Sequence, residues 1–313
     1  MLPVCIPSYK NREITKKLFS QLSTFDDVYL FVYDFDYKES GYDKLELPSN
    51  VKVVQINIER DFKKYNVKRT DLSTKRCFIF DYMTSLGIDT YISIDDDCGD
   101  QHYIIDKNNS NNRVNLKTFI DKMYEKIEEL NSKNKEWCII SPVVHFQKGT
   151  TLKSQIYKNQ DFIYDYAWEG SVMFINRKVL SENKVKHVPL TQSDNAVNIA
   201  CLRKQLLPMC FSNFHSLAFS MADNFTTLKE KFRKEIMYSF KEFPNDMSLS
   251  ASWLNKNYIY TTNKNYLAIL NGTTKMESKY EKLYEYACNE DIDNFVKCAK
   301  ELLNIADIDN NDW

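Results

Sequence analysis

Glycine is scarce in this chain: its 313 residues include six, and these are scattered. A glycine-rich phosphate loop, of the P-loop or dinucleotide-binding kind, needs several close together, so the scatter counts against both designs. Paired cysteines are missing as well. None of the eight cysteines forms a C-x-x-C pair, and most sit in apolar runs where cysteine behaves as a small hydrophobe. A zinc site is therefore not expected, and a reducing cytoplasm is expected over secretion. No run of about 18 apolar residues exists to span a membrane. The opening Met1-Leu2-Pro3-Val4-Cys5-Ile6-Pro7 is too short and proline-broken for a signal peptide. Net charge is nearly absent at −1, so the chain is no polycation and any nucleic-acid contact must come from a local patch. The four histidines (His102, His145, His187, His215) are dispersed, and no Ser/His/Asp or Cys/His spacing marks a nucleophile.

What the chain does hold is apolar and aromatic residues, at 43% and 14%, enough to bury a large core. Strands are expected at Leu2–Ile6, Val28–Tyr33, Val51–Ile58, Thr90–Ile94, Trp137–Pro142 and Ser171–Asn176. Between them, helical periodicity covers 11–22, 71–86 and about 115–131, with Gly87 as a stop for the second of these. This alternation predicts βαβ units and an α/β fold with a mostly parallel central sheet flanked by helices. Beyond residue 224 strand signals fade. Residues 226–242 and 275–304 read as helical, so 1–224 is expected as the main domain and 225–313 as a small helical C-terminal region.

Chemistry concentrates at the end of the fourth strand, where Ile92-Ser93-Ile94 runs into Asp95-Asp96-Asp97. Three adjacent carboxylates repel one another and lose hydration if buried, so folding alone does not favour them. A hard divalent cation does, because Mg2+ and Mn2+ take oxygen ligands and bridge carboxylates to substrate phosphates. In extended backbone Asp95 and Asp97 point one way and Asp96 the other, making the outer pair a D-x-D clamp with Asp96 as support. A solvated acidic turn is the alternative.

Further groups gather on the same edge. The turn Pro7-Ser8-Tyr9-Lys10-Asn11-Arg12 follows the first strand and can hold a nucleotide by stacking and hydrogen bonds, or be an ordinary capped turn. The basic stretch 60–76 contains Arg60, Lys63, Lys64, Lys68, Arg69, Lys75 and Arg76. A solvated face suits most of these, while Arg76 is suited to a diphosphate. Trp168-Glu169-Gly170 feeds a strand and suits an acceptor platform. Asp194 precedes a helix-like stretch and is either an N-cap or a general base.

Together, the Ile-Pro-Ser-Tyr-Lys-Asn-Arg turn, the Arg-bearing helix before Ile-Asp-Asp-Asp, the aromatic-Glu-Gly-Ser turn and the later Asp-Asn resemble the GT-A glycosyltransferases, over roughly residues 1–220. The Pro-Ser-Tyr-x-x-Arg start and the triple aspartate look most like the TET-associated and base J-type DNA glycosyltransferases, a group that includes phage enzymes. The resemblance implies a Rossmann-like GT-A fold, Mn2+ or Mg2+, a UDP-sugar donor and double-stranded DNA bearing a hydroxymethylated pyrimidine. By that resemblance Pro7, Ser8, Tyr9, Arg12, Arg76, Asp95 and Asp96 surround the donor. Asp95, Asp97 and His215 hold the metal; Trp168, Glu169 and Gly170 meet the acceptor; Asp194 is the base. One departure stands out: many inverting GT-A enzymes carry Glu-Asp where this sequence has Ser193-Asp194. Other expected readings are a GT-A enzyme acting on a glycan, lipid or protein, a metal-dependent nucleotidyltransferase, and a non-catalytic DNA- or sugar-binding module.

Overall fold

The computed structural model describes residues 2–10, 13–61, 72–100, 102–106, 113–146, 162–163, 172–185, 204–206, 208–218, 276 and 278–303, with positions 197, 200, 201, 237 and 241. Ten strands form a single sheet: β1 (Val4–Pro7), β2 (Val28–Tyr33), β3 (Val51–Ile56), β4 (Thr90–Ile94), β5 (His102–Ile104), β6 (Arg113–Val114), β7 (Ile139–Phe146), β8 (Phe162–Ile163), β9 (Val172–Asn176) and β10 (Met209–Ala218). Their spatial order is β3-β2-β1-β4-β9-β7-β10-β5-β6, with β8 on β10. β3, β2, β1 and β4 are parallel to one another. β9 runs antiparallel to both β4 and β7, so β7 and its parallel neighbour β10 return to the direction of β4. Only β9, β5 and β8 run against the common direction, so the sheet is mostly parallel, as expected.

Helices flank this sheet: α1 (Glu13–Phe19), α2 (Asp34–Glu39), α3 (Ile58–Asp61), α4 (Leu72–Ser85), α5 (Leu116–Ser132) and α6 (Arg177–Glu182). β2 is apolar at every position and its side chains alternate between two covered faces, so all six residues are buried. Val28, Leu30 and Val32 join one core with Leu18 of α1 and with Phe119, Ile120, Met123 and Ile127 of α5. Tyr29 and Phe31 turn to the other face, where α4 covers them. Phe31 meets Phe78 at 6.1 Å and Tyr82 at 5.5 Å, both edge-on. Such pairs add about 0.5–1.5 kcal/mol each beyond area burial.

α4 ends as its sequence demands. Gly87 takes φ +68, Gly87 N–H donates to Thr84 C=O and Ile88 N–H to Met83 C=O, the paired bonds of a Schellman stop. α5 starts on Asn115, whose side chain accepts from Thr118 N–H.

By contact the chain divides into two compact units, 1–189 with 206–220, and 190–205 with 221–313. In the second, α7 (Glu281–Cys288) and α8 (Ile292–Leu303) bury Leu283, Ala287, Phe295 and Ala299 in a small core with Tyr280 and Met237. These two helices lie in the stretch 275–304 that reads as helical, separated at Asn289–Asp291, where Glu290 takes φ 55. No helix among the described residues is long and apolar enough to cross a membrane.

Candidate active site

β1, β2 and β4 are parallel neighbours, so their C-terminal ends lie along one edge of the sheet. This topology carries Ser8, Asp36 and Asp95–Asp97, far apart in sequence, to the same place, the edge at which open α/β sheets bind ligands. Ser8 N–H donates to Phe31 C=O at 3.0 Å, extending the β1–β2 register one residue into the turn.

Asp96 is the buried member of the triple aspartate, 7% exposed. Its Oδ2 accepts from Tyr9 N–H at 2.8 Å, Ser8 Oγ at 3.3 Å and Thr15 Oγ1 of α1 at 3.5 Å. The Ser8 hydroxyl also meets the buried Tyr42 hydroxyl at 2.7 Å. Asp96 is thus a latch between the end of β4 and the turn after β1. Asp95 and Asp97 are half-buried. Asp95 Oδ1 accepts from the Arg76 guanidinium at 2.9 Å, with the Arg76 side chain 9% exposed. The carboxylate segment is braced by Cys98 N–H on Asp95 C=O, Tyr103 Oη on Cys98 C=O and Gln21 Nε2 on Gly99 C=O.

One member of the basic stretch lies at the centre. Lys75 is 2% exposed; its ammonium donates to the Ser8 carbonyl and sits 4.5 Å above the Tyr33 ring. Asp36, which the sequence reading passed over, is also buried. Its carboxylate accepts from Lys10 N–H at 2.9 Å and from the Ser40 hydroxyl. For Lys75 a signal was available: it lies on the i, i+4 row of Ile79 and Met83, which are buried in α4. Nothing comparable marks Asp36.

Burial pushes the Lys75 ammonium down from its ordinary 10.5 to about 8, with the Asp96 and then the Asp36 carboxylate opposing. Below about pH 8 folded and unfolded chains both hold the proton, and the burial penalty is fully present. From there to the unfolded value the folded chain releases its proton first, so stability rises with pH by up to about 3 kcal/mol. Lys75→Met lacks this gain. Urea unfolding at about pH 7 and about pH 10 should show the wild type gaining on the variant; identical pH responses would refute the assignment.

The remaining expected site residues divide by location. Pro7, Ser8, Tyr9, Arg76, Asp95, Asp96 and Asp97 are described and lie in the strand-end cluster or flank it. Tyr9 is 42% exposed there. His215 pairs through its backbone with Ile104 of β5 and Val143 of β7, beside the register shift in β10; its side chain lies outside the described residues. Arg12, Trp168, Glu169, Gly170 and Asp194 also lie outside them. Of the basic stretch 60–76, Lys63, Lys64, Lys68 and Arg69 lie outside the described residues. Lys75 and Arg76 are buried, and Arg60 spends its guanidinium on Asp61 at 2.7 and 2.8 Å.

Asp95 and Asp97 supply oxygen donors suited to a hard divalent ion, beside a guanidinium suited to phosphate. Among the described residues no three His, Cys, Asp or Glu side chains form a ready-made metal cage. Mg2+ and Mn2+ take one or two protein carboxylates and complete their shell with substrate phosphate and water, and Asp95 and Asp97 are donors of that kind.

No protein-family model matches the sequence, and no curated protein aligns with it significantly. Among solved structures, the mannosyltransferase PcManGT from Pyrobaculum calidifontis, in complex with GDP-Man and Mn2+, superposes with TM-score 0.45 at 8% identity, covering 96% of this chain and 84% of that one. GalNAc-T7 with UDP, GalNAc and Mn2+ gives TM-score 0.44 at 10% identity, over 95% of this chain and 58% of that one, so the chain spans little more than half its length. A cytidylyltransferase from Leptospira borgpetersenii gives TM-score 0.33 at 11% identity, over 88% of this chain and 99% of that one.

Proposed function

We propose that this chain is a metal-dependent glycosyltransferase that moves a sugar from a nucleotide-sugar donor, a UDP-sugar, to a hydroxyl group. The observation that carries the reading is the assembly at the ends of β1, β2 and β4. Half-buried Asp95 and Asp97, the Arg76 guanidinium on Asp95 and the exposed Tyr9 ring share one edge, with buried Asp96 tying the turn to the strand end. Tyr9 offers a face for a nucleobase and Arg76 a fork for phosphate oxygens. Asp95 and Asp97 would hold Mn2+ or Mg2+, which when bound supplies charge to stabilise the departing diphosphate. His215 is proposed as a further ligand.

Asp194 is proposed as the base. It takes the proton of the acceptor hydroxyl as that oxygen bonds to the anomeric carbon. The bond from that carbon to the diphosphate breaks, its electron pair leaves with the nucleoside diphosphate, and configuration inverts. Trp168, Glu169 and Gly170 are proposed to face the acceptor.

For the acceptor we propose the hydroxymethyl group of a modified pyrimidine in double-stranded DNA, on the resemblance of the opening turn and the triple aspartate to the DNA-glycosylating group. In a duplex that group must be exposed, as base flipping does. Because Lys75 and Arg76 are buried, the DNA phosphate contacts proposed for the basic stretch are assigned to Lys63, Lys64, Lys68 and Arg69. Incubation with UDP-glucose, Mn2+ and a duplex containing 5-hydroxymethylcytosine or 5-hydroxymethyluracil should add a hexose mass to the DNA and none to an unmodified duplex. Donor turnover with no mass gain, on a panel of nucleotide sugars, would transfer the reading to a glycan, lipid or protein acceptor.

A further inference from the structure

Three consecutive residues of the turn after β1 are each held by a different buried charged side chain. The Ser8 carbonyl takes the Lys75 ammonium, Tyr9 N–H goes to Asp96 and Lys10 N–H goes to Asp36. Lys10 itself has φ 63, the left-handed region, which costs a residue with a Cβ about 1–2 kcal/mol. Such backbone persists where its surroundings over-determine it.

Two of the anchors are carboxylates of like charge, both buried, and this arrangement needs a cation. Arg76 sits on Asp95, and Lys75 is the ammonium whose charge acts on both Asp96 and Asp36. Packing alone does not explain a lysine here. Its row on α4 continues with Ile79 and Met83, and an apolar side chain of similar length would fill the same space without losing the hydration of an ion. What the ammonium adds is direction. It fixes the carbonyl of Ser8 while the two carboxylates fix the next two amides, and between them the Tyr9 ring is left 42% exposed at the sheet edge.

We propose that Lys75 is a positioning residue for the donor, holding the Ser8–Lys10 turn in the backbone shape that presents Tyr9 to a bound nucleotide. The role rests on the nucleotide-sugar reading above, and Lys75, interior to the turn, acts through Ser8 and Tyr9.

Lys75→Met keeps the length of the stem and removes the charge. In that variant the dissociation constant for UDP with Mn2+, read by calorimetry well below the unfolding transition, should rise about tenfold or more, as for loss of other supporting groups. The kcat for donor turnover should stay within about threefold, so the loss falls on KM. Hydrogen exchange should quicken at the Tyr9 and Lys10 amides and remain unchanged in β2. Unaltered affinity and unaltered exchange in the variant overturn the proposal alone. A wild type that binds neither UDP nor GDP with Mn2+ removes the nucleotide-sugar reading, and the proposal with it. Should Lys75→Met not fold, Asp36→Asn keeps the shape and drops one of the charges facing Lys75. It is expected to give the same pattern at smaller size, and no change there overturns the proposal equally.

Discussion

Asp97→Ala is expected to lower Mn2+-dependent donor turnover by about a thousandfold, the order lost when a group stabilising developing charge is removed. Asp97 is half-buried at the end of β4, beside a carboxylate already paired with Arg76. In the proposed reaction its oxygen helps hold the ion that neutralises the departing diphosphate, and alanine offers no replacement donor. Stability should change by less than about 1 kcal/mol, in the range of substitutions outside the core. Asp95→Ala should lose turnover to the same degree, and it should also destabilise, because it removes a carboxylate that holds the buried Arg76 guanidinium. Turnover within about threefold of wild type in both variants would eliminate the metal assignment.

Asp96→Ala should behave in the opposite way, with unfolding as the primary effect. Removing this carboxylate takes the acceptor from Tyr9 N–H and the Thr15 hydroxyl and leaves the Ser8 hydroxyl to Tyr42. It also takes a counter-charge from Lys75. Breaking one side of a buried charge cluster costs about 3–5 kcal/mol, a large part of the stability of a typical domain. Urea unfolding at neutral pH reads this directly. A loss under about 1 kcal/mol would show that the latch carries no weight. Asp96→Asn keeps an acceptor for Tyr9 N–H and should fall between wild type and alanine. Adjacent aspartates thus separate cleanly, with turnover failing at 97 and stability at 96.

This division was half legible from the residues. Alternation in an extended chain sets Asp96 apart from its neighbours, and the burial of Asp96 beside half-buried Asp95 and Asp97 has that pattern. What Asp96 meets was not legible, because its partners lie some 80 residues earlier, in the turn and in α1. β2 and β4 were bounded in the sequence as they stand in the structure, and β1, α4 and α5 within two residues at each end or nearly so. In each, apolar side chains of high strand or helix propensity repeat with the period of the element, and turn residues bound them. α2 was passed over since six residues are too few for a helical period to show. The length of β10 is not legible in the same way, because its register shift between Phe211 and His215 interrupts regular pairing.

By itself, then, the sequence determined the alternation of strand and helix and the placement of three carboxylates at the end of a strand. Both follow from local periods and local composition. The tertiary structure alone decided that β9 inserts antiparallel between β4 and β7, that Asp96 latches the first turn, and that Lys75 is an interior cation under the influence of Asp96 and Asp36. Those outcomes depend on hydrogen bonds and charges between segments distant in the chain. A lysine reads alike in sequence whether water surrounds it or a carbonyl, a ring and two carboxylates do.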